Sequence, residues 1–411
     1  MECCDNWFVI LAPDNRSNVL AARQRVATRT AHGRALGVMI RSQNMFPSPT
    51  SLAMSVAPRA SRSPLAVAAV TLAMLCPLVG GAQAFAPALR VTEQQSGTTQ
   101  LIQAVHAVNE RVVWASGHGG VVLRTLDGGD HWSRITTPSG DTLEFRDVHA
   151  ASADSAWILS AGAGTKSRIY HTTNGGASWT LQFTNRDTLA FYDCLTFLDA
   201  QRGIAFSDAS AGRTLVLRTE NAGASWSLLM PSAVPAPLVG EGAFASSGLC
   251  VAHSNATNVF IATGAPGARL FRSTDAGLTW RASETPFVRG NVAGLTGLAF
   301  RDSVHGIATA ADISGLRTDT SSAVVGTTDD GGTTWTMRPR PPLPGALSGV
   351  AWVPGEGTQT AVVVGFGGAF VTSDGAKTWR TISDQIFTGV DAAGHRAWIA
   401  GGDGRITRLD W

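Results

Sequence analysis

The sequence predicts an all-β protein: a seven-bladed β-propeller of four-stranded antiparallel blades, its ring closed by the N-terminal strand of the mature chain. Three observations carry this reading. One eight-residue phrase recurs six times, its tryptophans are spaced 47, 47, 54, 55 and 44 residues apart, and strand-type runs precede each copy. Tandem four-stranded units of ~40–50 residues are the signature of a propeller.

The copies are TLDGGDHW (Thr125–Trp132), TTNGGASW (Thr172–Trp179), TENAGASW (Thr219–Trp226), STDAGLTW (Ser273–Trp280), TDDGGTTW (Thr328–Trp335) and TSDGAKTW (Thr372–Trp379). Each reads Ser or Thr, then Asp or Asn two places on, then Gly, a hydroxyl residue and Trp. Asp127, Asn174, Asn221, Asp275, Asp330 and Asp374 accept hydrogen bonds from the N–H groups of their own turn, as such side chains do in Asx-turns. Gly supplies a positive φ at little steric cost. Trp132, Trp179, Trp226, Trp280, Trp335 and Trp379 open the next strand and cover the hairpin with an apolar face. The last copy carries Ala376 at the Gly position and the first carries His131 at the hydroxyl position, so both turns are expected to be less regular.

Upstream of the first four boxes stand VVLRT, RIYHT, LVLRT and RLFRS, which read as third strands. Further upstream, a nine-residue step separates Val105 from Trp114, Val148 from Trp157, Leu195 from Ile204 and Leu298 from Ile307, so these units open with a similarly built hairpin. The box therefore joins third strand to fourth. After the sixth box the tail supplies three strands and stops. The run ALRVT, near the start of the mature chain, resembles the missing fourth and is expected to close the ring, removing an exposed edge.

Residues 54–84 read as a signal peptide: Arg59 and Arg62 precede an apolar run from Leu65 to Val79, and Ala82-Gln83-Ala84 offers small residues for cleavage after Ala84. Residues 1–53 read as a start codon placed too early, with translation from Met45 or Met54. The alternative is a transit-like extension, in which an Arg-bearing, acid-poor stretch and the apolar run form a bipartite address. The expected location is periplasmic or secreted; the alternative is an organelle lumen. The apolar run is shorter than the ~20 residues a spanning helix needs, so no membrane span is expected in the mature chain. That leaves residues 85–411 for the propeller.

Of 411 residues, 44% are hydrophobic and 15% charged, ample for a buried core. The net charge of +2 hides a split: residues 1–84 hold eight Arg and three acids, leaving 2 − 5 = −3 for the remainder. A mildly acidic body argues against nucleic-acid binding.

The boxes and phrases such as LRTLDGGDHW and YHTTNGGASW resemble the bacterial-neuraminidase-repeat, or Asp-box, propellers, and among them the photosystem II stability/assembly factor-like proteins. The resemblance covers nearly all of Phe85–Trp411. It implies an exported, non-catalytic scaffold or assembly factor that acts on a protein partner. Sialidases share the box, but no Arg-Ile-Pro phrase occurs, and of the two tyrosines Tyr170 sits on a third strand, leaving Tyr192 alone. Xyloglucan-active hydrolases resemble two propellers in one chain, and only one fits here.

First strands line a propeller's channel, and ligands commonly bind where those strands begin. In register, Gln103, Arg146, Asp193 and Thr296 share one position, and Ala104, Asp147, Cys194 and Gly297 the next. Arg146, Asp147, Tyr192, Asp193 and Glu241 are therefore the candidate binding residues at the channel mouth. Should the protein be a carbohydrate-active hydrolase or lyase instead, Asp147, Asp193 and Glu241 are its acid/base candidates; otherwise no residue is assigned a catalytic role. The box carboxylates lie one per blade and cannot share an ion, His106 and His149 are read as lacking partner ligands, and no metal or cofactor is expected.

Cys194 and Cys250 are the cysteines left after leader removal. Register places Cys194 on the first strand of blade three and Cys250 on the second of blade four, too far apart to bridge, so two buried thiols are expected. The Pro-rich stretches 231–237 and 338–345 read as stiff connections between blades, the alternative being protruding partner-binding loops. The partner is expected to be a protein, or else a carbohydrate, bound by a monomer.

Overall fold

The computed structural model describes residues 89–138, 142–322 and 324–411, so the expected address segments 1–53 and 54–84 lie outside the described residues. Strand β1 (Arg90–Gln94) comes first. Blade one holds β2 (Ile102–Ala107), β3 (Val113–Gly117), β4 (Val122–Thr125) and β5 (Ser133–Arg134), and blade two β6 (Phe145–Ala150), β7 (Ala156–Ser160), β8 (Arg168–Thr172) and β9 (Thr180–Thr184). Blade three holds β10 (Tyr192–Phe197), β11 (Gly203–Ser210), β12 (Arg213–Thr219) and β13 (Ser227–Leu228), and blade four β14 (Val251–His253), β15 (Val259–Ala262), β16 (Arg269–Ser273) and β17 (Arg281–Glu284). Blade five holds β18 (Ala293–Phe300), β19 (Gly306–Asp312), β20 (Val325–Thr328) and β21 (Thr336–Met337), and blade six β22 (Leu347–Trp352), β23 (Ala361–Gly365), β24 (Gly368–Thr372) and β25 (Arg380–Ser383). Blade seven consists of β26 (Phe387–Ala393), β27 (Arg396–Gly401), β28 (Ile406–Asp410) and β1, with Arg90 opposite Asp410 in an antiparallel pair.

The chain is thus an all-β, seven-bladed propeller of four-stranded antiparallel sheets. A blade cannot bury both faces alone, and the core is divided accordingly into seven seams, each between neighbouring blades. Trp157, Leu159 and Ile169 of blade two meet Leu195, Ala205 and Leu217 of blade three, for example, and Trp398 and Ile399 of blade seven lie in its two flanking seams. Second-strand tryptophans bridge blades as well: Trp114 Nε1 donates to Ser152 O (3.1 Å), Trp157 Nε1 to Ala222 O (3.1 Å) and Trp398 Nε1 to Gly128 O (3.1 Å).

Every repeated turn closes on itself. In the second, Thr172 Oγ1 donates to Asn174 Oδ1 (3.0 Å), while Gly176 N–H donates to Thr172 Oγ1 (2.8 Å) and Ser178 N–H to Asn174 Oδ1 (2.9 Å). The two departures from the phrase keep the pattern, contrary to expectation. His131 replaces the hydroxyl with its ring, Nδ1 lying 2.8 Å from Asp127 Oδ2, and Ala376 takes φ = 66° while its N–H reaches Thr372 Oγ1 (3.0 Å). A turn that supplies its own bonds tolerates these changes because backbone geometry, not one side chain, sets it. Gly176 is less replaceable: at φ = 85° a Cβ would lie 2.2 Å from Ile135 Cγ2 of the preceding blade. The box tryptophans do more than cover their hairpins, since Trp132 Nε1 donates to Gln94 Oε1 (3.1 Å), Trp179 Nε1 to Thr136 O (3.1 Å) and Trp379 Nε1 to Pro339 O (2.8 Å), all on or next to the preceding blade.

The Pro-rich stretches pack as connections. Thr214 Oγ1 donates to Pro235 O (2.6 Å), Trp280 N–H to Ala233 O (2.8 Å), and Arg340 Nη1 to Ser321 O (3.0 Å).

Candidate functional site: the plugged axis of the ring

The innermost strands share one register. Six carry a β-bulge near their start, with Gln103, Arg146, Asp193, Thr296, Ser348 and Thr388 as the extra residues. A bulge bends the strand and re-aims side chains, which explains why this position is polar in six blades that are otherwise apolar there. The next level comprises Ala104, Asp147, Cys194, Cys250, Gly297, Gly349 and Gly389. Two residues further along stand His106, His149, Thr196, Ala252, Ala299, Ala351 and Asp391, each paired with a residue near the start of its blade's second strand.

Cys194 and Cys250 therefore occupy equivalent places on adjacent blades. They form a disulfide with a Cα–Cα distance of 5.9 Å, so the expectation of two free thiols is corrected. The error lay in the placement of blade four: Cys250 immediately precedes its first strand, β14, and is not on its second.

Blade four also differs at its beginning. Instead of a bulged strand, residues 242–250 form an irregular segment across the axis, the plug. Gln103 Nε2 of blade one donates to Ala245 O (3.1 Å) and Ser246 O (2.8 Å). Ser247 Oγ donates to Ser348 O of blade six (2.8 Å), Ala243 N–H to Asp208 Oδ1 of blade three (3.1 Å), and Leu298 N–H of blade five to Leu249 O (3.1 Å). Gly248 lies on Asp147 of blade two so closely that a Cβ would come within 2.2 Å of its Oδ1, and its φ is 76°. Buried backbone polar groups must be paired, and here five different blades supply the partners or the packing.

The residues expected at the channel mouth are divided by this arrangement. Glu241 is engaged by Arg269, whose Nε donates to Oε1 (2.8 Å), and by Thr263 Oγ1 (2.8 Å) and Leu238 N–H (2.9 Å). It anchors the plug's base and is 2% exposed. Asp193 is fully buried and adjoins Asp208. Burial and the neighbouring Asp208 charge push its carboxyl well above the usual range, and burial takes Asp208 up to about 7. Two adjacent carboxyls away from water share a proton. Arg146 is paired with Glu144 through Nη2 (2.6 Å) and Nε (3.0 Å), with its guanidinium 6.0 Å from the Phe191 ring. Tyr192 packs edge-on against Phe183 at 5.1 Å, and burial raises its phenol.

Asp147 is among the residues that line a cavity. That basin, about 580 Å³, lies on the far side of the plug, where the innermost strands end. Ser247, Gly248 and Leu249 line it from the plug, and His106, His149, Thr196, Ala252, Ala299, Ala351 and Asp391 form a ring within its wall. The ring is two-faced. Blades seven, one and two bring Asp391, His106 and His149 together: His106 Nδ1 is 3.6 Å from Asp391 Oδ2, and the two imidazole rings are 4.4 Å apart. His253, with Nδ1 3.3 Å from Thr196 Oγ1, extends this arc, whereas blades five and six present Leu298, Ala299, Ala351 and the half-buried Trp352.

Burial lowers His149 well below its usual value, and the charges of His106 and His253 add to that. Burial and His106 likewise lower His253, with Asp199 opposing. Burial raises Asp391 against His106 and two backbone N–H donors, and takes Asp147 up to about 8 against the Leu195 N–H bond (2.6 Å). Burial thus favours the uncharged forms of Asp147, His149 and His253 around neutral pH. Among the described residues no group of three or more His, Cys, Asp or Glu side chains converges as metal ligands do, and no helix is long and apolar enough to cross a membrane.

The imidazole arc was not foreseen. Its signal lay in the register already used, since His106 and His149 each follow the aligned Val105 and Val148 by one residue.

The architecture defines a class, the seven-bladed propellers, and several solved structures are similar in fold to this chain. One is described as "YCF48 bound to D1 peptide" (15% identity, TM-score 0.57, covering 79% of this chain and 97% of that one). A second is YCF48 from Cyanidioschyzon merolae (16%, TM-score 0.56, 78% and 98%). A third is the GH74 enzyme of Niastella koreensis (17%, TM-score 0.58, 77% of this chain and 53% of that one). No family profile and no curated protein matches the sequence.

Proposed function

We propose that the chain is an exported Asp-box propeller of the photosystem II stability/assembly factor-like kind, a scaffold without chemistry of its own that holds a protein partner in its axial basin. One observation carries the reading: the axis is a dead end, floored by the plug and walled by all seven blades, with an apolar arc and a polar arc facing each other. Such a cavity gives an inserted side chain or chain segment buried contact on every side. The likeness to a propeller described with a bound peptide supports a protein as partner. The leader at residues 54–84 supports export, to a periplasm, the medium or an organelle lumen.

The second reading, a carbohydrate-active hydrolase or lyase, is favoured by the likeness to a GH74 enzyme and by Asp147, a carboxyl protonated up to about pH 8 beside the basin. Against it, Glu241 is held by Arg269 and Asp193 is sealed beneath the plug, so the three acids do not converge on one substrate position. A photo-crosslinking amino acid at Trp352 tests the scaffold reading. Adducts with one defined partner, and no turnover of xyloglucan or other polysaccharides, support it; polysaccharide turnover lost in Asp147→Asn overturns it.

A further inference from the structure

The basin reading can be carried to the chemistry of what it holds. We propose that the basin takes an amphipathic carboxylate, free or borne by a partner side chain, with the carboxylate at the His106–His149–His253 arc and the apolar body on Leu298, Ala299, Ala351 and Trp352, and that binding takes up a proton.

The arc offers hydrogen-bond donors. Phe197 N–H donates to His149 Nδ1 (3.5 Å), which leaves the ring proton of the neutral imidazole to Nε2, and no acceptor among the described residues engages that N–H. His106 leans on Asp391, whose carboxylate also accepts Ala107 N–H (2.8 Å) and Ala392 N–H (2.8 Å), so this acid is already satisfied and its charge is balanced when His106 is protonated. His149 faces His106, His253 and the rings of Trp157 and Phe197; His253 faces His106, Thr196 and, at longer range, Asp199. The remaining charged groups of the wall neutralise one another: Arg301 Nε lies 3.7 Å from Asp302, which His305 also meets at 2.7 Å, and Asp147 is held neutral by burial.

His106 and His149 stand 4.4 Å apart and His253 lines the same cavity, with Asp391 the carboxylate that meets them through His106. Burial and the neighbouring imidazoles disfavour the charged forms of His149 and His253 when the basin is empty. An anion placed among them reverses both effects, so ligand and proton enter together. A metal ion is the other occupant such a group brings to mind, but the side chains do not converge in the required way. An organic cation would face three imidazoles and one carboxylate, Asp391, that already accepts two backbone N–H groups and meets His106. The opposite wall is apolar, and Arg301 stacked 5.1 Å over Trp352 fixes that indole as a flat side.

The inference rests on the basin reading, and its test separates the two. Indole-3-propionate and its uncharged amide are titrated calorimetrically into the mature protein at pH 5.5 and 7.5, in buffers of different ionisation enthalpy. The expected result is binding of the acid about tenfold tighter at pH 5.5, uptake of close to one proton, and no comparable binding of the amide. His106→Gln with His149→Gln should abolish the pH dependence, while Glu144→Gln at the opposite end of the channel leaves it intact. Histidine side-chain NMR of the unsubstituted protein supplies the readout should the double variant fail to fold: the imidazole signals must move on addition of the acid. Equal binding of the amide, an affinity indifferent to pH, or unmoved imidazole signals overturns the carboxylate assignment. A partner crosslinked at Trp352 in that same case leaves the scaffold reading standing.

Discussion

Cys194→Ser with Cys250→Ser removes the bond that ties the plug to blade three. The cysteines are 56 residues apart, both fully buried, and Cys250 N–H also donates to Cys194 Sγ (3.2 Å). In the chain-entropy account a closed loop of that length raises the free energy of the unfolded chain by about 4 kcal/mol. Guanidinium chloride melts of the oxidised protein and the variant measure this difference, and hydrogen exchange of residues 242–250 locates it. The expected outcome is a loss of about 4 kcal/mol together with faster exchange in the plug, while β1 and β28 remain protected. A loss below about 1 kcal/mol with an unchanged exchange pattern would refute the reasoning, because the hydrogen bonds from Gln103, Ser247 and Asp208 would then suffice to hold the segment.

Three further outcomes follow from the same geometry. Gly176→Ala forces a Cβ against Ile135 at positive φ and should cost about 1–3 kcal/mol by equilibrium melt; a smaller cost means the turn can shift away from blade one. Hydrogen bonds from Thr378 hold Asp374 down at about 2, below the ~3.9 of an unfolded chain, so its stabilisation is present above about pH 4 and lost as pH falls through 2. Asp374→Asn, the residue type already present at Asn174, should flatten the stability profile in that window. Asp147, raised to about 8, acts in the opposite sense: the folded state keeps a proton the unfolded chain gives up near ~3.9, so stability falls as pH rises from about 4 to 8. Asp147→Asn should remove that decline, and a variant that tracks the parent protein across the window contradicts the buried placement.

The ring was legible because a blade is local. The box turn, the hairpin step of nine residues and the spacing of the tryptophans are each set within ~50 residues of chain. Blade four was misread for a nearby reason. The same nine-residue step runs from Val251 to Phe260, and applying it there would have set Cys250 level with Cys194. The plug itself has no period to read, since residues 242–250 owe their course to hydrogen bonds with four other blades and to packing on Asp147 of a fifth. The basin shows the limit most clearly. Asp391 and His106 are 285 positions apart in the chain and become neighbours only when blade seven meets blade one. Asp193 and Glu241 stood out in the sequence as charged residues where first strands begin, and the structure places both around the plug, one against Asp208 and the other against Arg269.

The most direct test of the account is where a partner touches the ring. A photo-crosslinking residue is placed in turn at Trp352 in the basin, at Glu144 beyond the plug, and at Leu181 on an outer strand, each in the mature protein expressed in its own host. The account predicts that one partner protein is captured from Trp352 alone and that Ala351→Trp, which fills the basin, abolishes the capture. Capture of that partner from Glu144 or Leu181, unaffected by filling the basin, would contradict it.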